Sequence, residues 1–255
     1  MYEQKNNDEK RPLILVTNDD GYDAPGILAL AKEAQNYGDV VIIAPKQYQS
    51  AMGRAITLRK PMTVDETYLG GNQDQTSIRA FIVDGTPASC VIMGLETILN
   101  RTPDLVVSGI NNGENLAATA TMSGTLGAAI EAATYGIPAI AVSLQRPVMY
   151  PRDQVDFTTA AKITGGLIEE SLKNSGKYGL VNVNIPFDAT ETTETVDTFQ
   201  SKQKLHIPKV TQKEGAYFID LGRDYTKLEP NSDADVVLNQ KKVSVMNMDY
   251  VFQIK

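Results

Sequence analysis

From residue 13 to about 145, short apolar runs without polar alternation recur between stretches of helical periodicity, and that order leaves few folds open. The runs are LILVT at 13–17, VVIIAP at 40–45, AFIVDG at 80–85, LVVSG at 105–109 and PAIAVSL at 138–144. A strand with one face in water alternates apolar and polar residues, so a continuous apolar run implies cover on both faces. Helical patterns at about 25–37, 87–99 and 124–136 supply that cover. The expected architecture is α/β, a mainly parallel, doubly wound sheet. Short strands around 56–66 and 76–80 predict a hairpin insert, with Gly70-Gly71-Asn72 turning between them. A further helix near 155–173 and the strand LVNVNIP at 180–186 follow. Beyond Pro186, DATETTETVDT reads as loop, and HIPKV, AYFIDLG and KKVSVMNM read as strands. The expected division is a catalytic α/β domain over 1–186 and a β-rich C-terminal extension over 187–255, packed on that domain or on a partner subunit.

Charge and composition remove several function classes. A net charge of −7 argues against binding the phosphate backbone of a nucleic-acid duplex, which calls for a basic face. A small phosphorylated substrate is still compatible, because a metal and helix ends can meet its charge. The single cysteine, Cys90, rules out an internal disulfide and suits a reducing compartment; its place in a helical run predicts a buried packing role. The lone histidine, His206, cannot supply a pair of histidine ligands, and reads as a surface strand residue without a catalytic part. The start MYEQKNNDEKR lacks the apolar centre of a secretory signal, and no apolar stretch is long enough to span a bilayer. A cytoplasmic protein with no membrane partner is expected.

The chemistry gathers in the loops that follow the strands. LILVTNDDG delivers two adjacent carboxylates, Asp19 and Asp20, to the carboxyl end of the first strand, where open α/β sheets bind their ligands. Neighbouring carboxylates repel unless a positive charge sits between them, and a hard divalent cation meets that need. By themselves the same letters also make an ordinary turn. The loop after VVIIAP, KQYQSAMGRAIT, carries Ser50. INNGEN, after LVVSG, offers Asn111, Asn112 and Asn115. Asn111 is equally suited to a local Asx-turn. Ser123-Gly124-Thr125 then opens the helical run LGAAIEAATYG, and a capped helix start of small residues is a site for phosphate. Carboxylate, hydroxyl and amide oxygens suit Mg²⁺ or Mn²⁺ rather than a soft metal. Metal-assisted hydrolysis of a phosphate ester is the chemistry such a set supports.

The segments ILVTNDDG, IIAPKQYQSAMG, VDGTPASCV, PDLVVSGINNGEN, SGTLGAAIEAATYGIPAIAVS and VNVNIP, in this order, resemble the SurE family of metal-dependent 5′/3′-nucleotidases. A weaker echo falls at SDADVV (232–237) and VSV (243–245). The resemblance implies a Rossmann-like fold whose β-rich extension assembles a homodimer or homotetramer. It implies one divalent ion per subunit, Mg²⁺ or Mn²⁺, on Asp19, Asp20, Ser50 and Asn111, with Asp19 and Asn111 taking catalytic parts. It places the phosphate of a nucleoside monophosphate against Asn115, Ser123, Gly124 and Thr125, and a metal-activated water as the attacking group. The Gly85-Thr86-Pro87-Ala88 turn matches a family motif that shapes the site. Between Asn115 and Ser123 the chain departs from the family, which has a glycine, an acid and a ring where this sequence has Ala117, Thr119 and Met122. Ser244-Val245-Met246-Asn247-Met248 departs likewise from the family's S-[VI]-T-P-L. Those departures motivate a second reading, a weakly active or inactive relative that binds a nucleotide or a protein partner. A cofactor-dependent Rossmann enzyme is disfavoured, since NDDG stands where G-x-G-x-x-G would be. Arg54 reads as a solvated loop residue, and Tyr48 as a candidate to stack on a base.

Overall fold

The structure is a computed structural model that describes residues 11–70, 77–147, 150–174 and 179–249. The apolar runs form β1 (Leu13–Thr17), β2 (Asp39–Pro45), β4 (Ile78–Val83), β5 (Leu105–Asn112), β6 (Ala139–Leu144) and β7 (Leu180–Ile185). These six are parallel neighbours in the order β4-β2-β1-β5-β6-β7. Every residue of β1, β6 and β7 is buried, which is why their sequences carry no alternation. Helices α1 (Pro25–Ala34) and α4 (Thr158–Lys173) cover one face through Ile27, Leu30, Ala31, Ala34, Ala160, Ala161, Leu167 and Ile168. Helices α2 (Pro87–Met93) and α3 (Gly124–Thr134) cover the other through Cys90, Val91, Leu126, Ala129 and Ala132. Cys90 is fully buried there, and burial raises its thiol pKa well above the ordinary range. Strand order reverses between β1 and β5, so the crevice outside their carboxyl ends is the natural ligand position.

Several elements differ from the sequence expectation. The hairpin insert is β3 (Val64–Leu69) paired antiparallel to β4, so residues 78–80 and the first part of AFIVDG belong to one strand, and residue 76 lies outside the described residues. Residues 56–63 are not strand, and Gly71 and Asn72 of the expected turn lie outside the described residues. The helix expected over 87–99 changes after Met93 to a π-helical turn, Gly94–Ile98. Residues Arg152–Gln154 form a 3-10 turn, and α4 begins only at Thr158. The threonine-rich stretch contains a short strand, β8 (Thr195–Asp197).

After residue 186 the chain both leaves the main sheet and returns to it. Strands β9 (His206–Lys213) and β10 (Ala216–Arg223) form a separate antiparallel ribbon. The last strand, β11 (Val243–Asn247), pairs antiparallel with β7 and parallel with β8, extending the sheet to nine described strands. The SDADVV segment is helical, α5 (Asp233–Leu238), with Ser232 as its cap. Asp233 is a fully buried carboxyl that accepts the backbone N–H groups of Ala117 at 2.7 Å, Ser201 at 3.0 Å and Ala234 at 2.8 Å. It therefore ties the segment after β5 to the C-terminal third of the chain.

Removing that carboxyl leaves three buried donors without an acceptor, and an orphaned donor is costly. Asp233→Ala is expected to lose about 3 kcal/mol, a fall in Tm of roughly 6–12 °C for a chain of this size. Thermal and urea unfolding measure it, and a loss below about 1 kcal/mol would show that water replaces the carboxyl without difficulty.

Candidate metal and phosphate site

β1 ends at Thr17, and Asn18 closes the turn after it. The Asn18 side-chain amide donates to the Gly21 carbonyl at 2.8 Å, and its Oδ1 accepts the Gly21 N–H at 3.3 Å. Since Asn18 performs the Asx function, the carboxyls of Asp19 and Asp20 are not needed to make the turn. Asp19 Oδ1 accepts the Thr125 hydroxyl at 2.6 Å. Asp20 accepts the Asn112 N–H at 3.0 Å on one oxygen and pairs with Arg152 at 3.1 Å on the other.

The start of α3 is built around Asp19. Ser123 caps it by accepting the Leu126 N–H at 3.1 Å. A Cβ placed on Gly124 would stand 2.8 Å from Asp19 Cβ and 2.9 Å from Asp19 Oδ2, so only glycine lets the helix end approach the carboxyl this closely. On the far side, β5 carries a bulge between Ser108 and Asn111. Gly109 makes it possible, with φ of +142° and a Cβ position only 2.3 Å from the Val142 carbonyl. The bulge re-aims Asn111 and Asn112 at the carboxyl end of the sheet. Asn111 donates its side-chain N–H to the Gly113 carbonyl at 2.6 Å, which leaves its Oδ1 as a ligand oxygen. The local turn and the ligand role are therefore compatible.

Ser50 is exposed on the loop after β2, which the Gln49 N–H fastens to the Asp19 carbonyl at 2.8 Å. Thr86 and Ser89 at the start of α2 hold residues 55–57 of the same loop, through Ala55 O at 2.6 Å and the Thr57 N–H at 2.8 Å. The Gly85-Thr86-Pro87-Ala88 turn thus shapes the site from behind. Asp19, Ser50, Asn111, Asn115 and Ser123 line one cavity of about 330 Å³. Asp20 lines an adjoining cavity of about 660 Å³, and Tyr48, Asn112 and Arg152 belong to both walls. Gly124 and Thr125 touch Asp19 from behind rather than lining either cavity.

Burial pushes the Asp19 carboxyl up to about 6, the charge on Asp20 adds to this, and the bonds from Thr125 oppose it. No cation contributes. Burial also raises Asp20, against the pull of the Asn112 N–H and of Arg152. Two adjacent carboxyls that resist ionisation, one of them without a cationic partner, fit a site for a cation. Among the described residues no cluster of three or more His, Cys, Asp or Glu could hold a metal, so a metal here would be completed by other oxygens, from water or from side chains such as Ser50 and Asn111. That hard donor set fits Mg²⁺ or Mn²⁺.

Some of the site was missed in the sequence. His206 is a strand residue, as expected, at the start of β9, but it is half-buried rather than on the open surface and lines the 330 Å³ cavity with Arg146, Arg152 and Arg223. Burial lowers its pKa, which favours the neutral ring. Asn182 and Asn184, fully buried in β7, donate to the Asn115 carbonyl at 2.9 and 3.1 Å, and Asn184 accepts the Asn115 N–H at 2.8 Å. VNVN was the available signal: two amides in an otherwise apolar buried strand must have partners. Arg54 is exposed on its loop, as expected, and also pairs with Glu131 of α3 at 2.7 Å. Of the departures, Thr119 and Met122 line the cavity, and Ala117 sits in the left-handed region with φ of +53°.

A family model described as survival protein SurE matches residues 14–207. The 5′-nucleotidase SurE of Methanocella arvoryzae is 38% identical over 247 residues, covering 91% of this chain and 90% of the relative. That of Thermococcus gammatolerans is 37% identical, with 94% and 92% covered. The crystal structure of the SurE protein from Aquifex aeolicus superposes with a TM-score of 0.75 at 33% identity, over 94% of this chain and 95% of that one.

The raised Asp19 pKa has a sign that can be tested without metal. Its folded value of about 6 lies above the unfolded value of about 3.9, so the fold favours the protonated form. The stability this contributes is complete below about pH 4 and is lost as pH rises through 6, by about 3 kcal/mol. In EDTA, Asp19→Asn is expected to escape that loss and to unfold at higher urea than the parent at pH 7.5, with no such advantage at pH 4. An equal difference at both pH values would contradict the buried-carboxyl account.

Proposed function

The chain belongs to the SurE family, and on that premise we propose that it is a divalent-metal-dependent 5′/3′-nucleotidase releasing phosphate from nucleoside monophosphates. The observation that carries the reading is the placement of Asp19, buried without a cationic partner beside Asp20 and facing the start of α3. Asp19, Asp20, Ser50 and Asn111 are the proposed holders of one Mg²⁺ or Mn²⁺ per subunit. When bound, the ion supplies neutralising charge at the phosphoryl group and a water acidic enough to attack it. Thr125 fixes the orientation of Asp19 through its hydroxyl. Gly124 lets the N–H groups of the helix start come close to the phosphoryl oxygens, where the helix dipole favours negative charge. Asn115, held by Asn182, Asn184 and Ser143, presents a fixed edge to the same group. In this reading Asp19 also takes a proton from the attacking water, and Asn111 orients it. No covalent bond to the protein is required, so rate enhancement rests on positioning and charge stabilisation.

The reading without turnover is not favoured, because relatives matched over nine-tenths of their length carry the nucleotidase name. A homo-oligomer, dimer or tetramer, belongs to the proposal. Its support is the β9–β10 ribbon, where Val210, Tyr217 and Ile219 are 62%, 72% and 71% exposed. A two-stranded ribbon with such a surface is marginal without cover. No helix among the described residues is long and apolar enough to cross a membrane. A cytoplasmic setting, suggested by the lone buried cysteine, completes the proposal.

Phosphate release from nucleoside 5′- and 3′-monophosphates should require Mn²⁺ or Mg²⁺ and stop in EDTA. Asp19→Asn should lower kcat/KM by about a hundredfold or more, the scale of losing one preorganised charge-stabilising group. Undiminished turnover in that variant would overturn the assignment of the site.

A further inference from the structure

Three guanidinium groups and one imidazole face the cavity that holds Asp19, and the phosphomonoesterase reading uses none of them. Arg152 has a carboxylate partner in Asp20. Arg223 has one in Glu114 at 3.3 Å; the Glu114 side chain is 1% exposed and also accepts the Tyr225 hydroxyl. Arg223 further donates to the Arg146 carbonyl at 2.8 Å, so the two arginines are held side by side. Arg146 is the exception. One of its nitrogens donates to the Tyr150 carbonyl at 2.7 Å, and among the described residues it has no carboxylate within ion-pair distance. Its Nε is buried without an acceptor among the same residues.

The charge balance of the cavity is informative. Taking Asp19, Asp20, Glu114 and the three arginines together, Asp20 and Glu114 each pair with one arginine, and a divalent ion on Asp19 and Asp20 would bring the sum of these charges to +2. One phosphoryl dianion then satisfies the ion and the start of α3. These charges then balance in sum, yet the Arg146 guanidinium has no carboxylate within ion-pair distance among the described residues, so its free donors are the ones open to a further anion. Burial, then the charges of Arg152 and Arg223, disfavour the charged form of Arg146, against the opposing pull of Glu114, whose carboxylate also accepts the Arg146 backbone N–H at 3.3 Å. A guanidinium presents a planar fork of donors suited to phosphate oxygens.

Resting on the phosphomonoesterase reading of the site, we propose that Arg146 and Arg223 form a second anion subsite that receives a further phosphoryl group of the substrate. Nucleotides carrying two phosphoryl groups, on two sugar positions or in one chain, are then bound more tightly than monophosphates. Arg146 supplies the guanidinium donors that the Tyr150 carbonyl leaves free. Arg223, clamped by Glu114, fixes the far edge and carries the subsite on the end of β10.

Calorimetric titration of the full chain with Mn²⁺ tests this with hydrolysis-resistant phosphorothioate forms of AMP, ADP and adenosine 3′,5′-bisphosphate at two salt concentrations. At least one doubly phosphorylated ligand should bind about tenfold or more tighter than AMP, with a steeper loss of affinity in salt. The preferred ligand distinguishes the chain arrangement from the two-position one. Arg146→Gln should bring the affinity ratio to AMP close to one, Arg146→Lys should keep part of it, and Arg223→Lys provides a second variant that retains the charge facing Glu114. A purely structural role for the arginines predicts lower Tm with an unchanged ratio, and that result overturns the subsite. Equal affinity for all three ligands overturns it as well. Because binding is read directly, a failure of AMP hydrolysis would count against the hydrolase reading alone and would leave this comparison intact.

Discussion

The approach of α3 to the Asp19 carboxyl is the constraint on which the rest of the site depends. A carboxyl buried at the end of β1 would be a liability, yet here it receives a hydroxyl from Thr125 at 2.6 Å and faces a helix start opened by Gly124. The helix can reach that position only because its partner face is lined with alanines, Ala128, Ala129, Ala132 and Ala133, which let it lie close to the sheet. Fold and site are therefore linked through residue size. The small side chains of GTLGAAIEAAT serve packing along the helix and access at its tip.

A second dependence runs from the C-terminal third back to the loop after β5. Asp233 and Gln200 bind the backbone N–H and carbonyl of Ala117, both at a residue with positive φ. A non-glycine residue there carries a local strain on the order of 1 kcal/mol. Two hydrogen bonds and the burial of Leu116 and Ala117 against Leu205, Ala234 and Val237 oppose it. The substitutions that set this chain apart in sequence are thus accommodated by a loop that its surroundings hold in place. Arg223 and His206, at the end of one strand of the ribbon and the start of the other, bring the extension to the cavity mouth.

Much of the architecture was legible because burial on both faces writes itself into a strand as an unbroken apolar run. Leu13–Thr17 and Ala139–Leu144 are direct examples. Boundaries were less legible where packing decides them. Residues 78–80 run on into the following strand because Ile78 is buried and pairs with Leu69, which no local pattern announces. SDADVV carries a serine cap and acids in its first turn, a readable helix start that a search for strands in this region passed over. The partner of Arg54 could not be assigned because Glu131 lies in a different element.

The sequence alone determined what is local: which segments are strands, where the two aspartates enter, and that a capped, small-residue helix start follows INNGEN. These follow from periodicity, side-chain volume and backbone freedom, all of which act within a few residues. The tertiary structure decided which of those groups meet. It brought Asp19 against Gly124, set Arg152 on Asp20, turned Asn182 and Asn184 onto Asn115, and gathered Arg146, Arg223 and His206 around one cavity. Charge, desolvation and hydrogen-bond satisfaction are properties of neighbours in space, and in a doubly wound sheet those neighbours come from distant stretches of the chain.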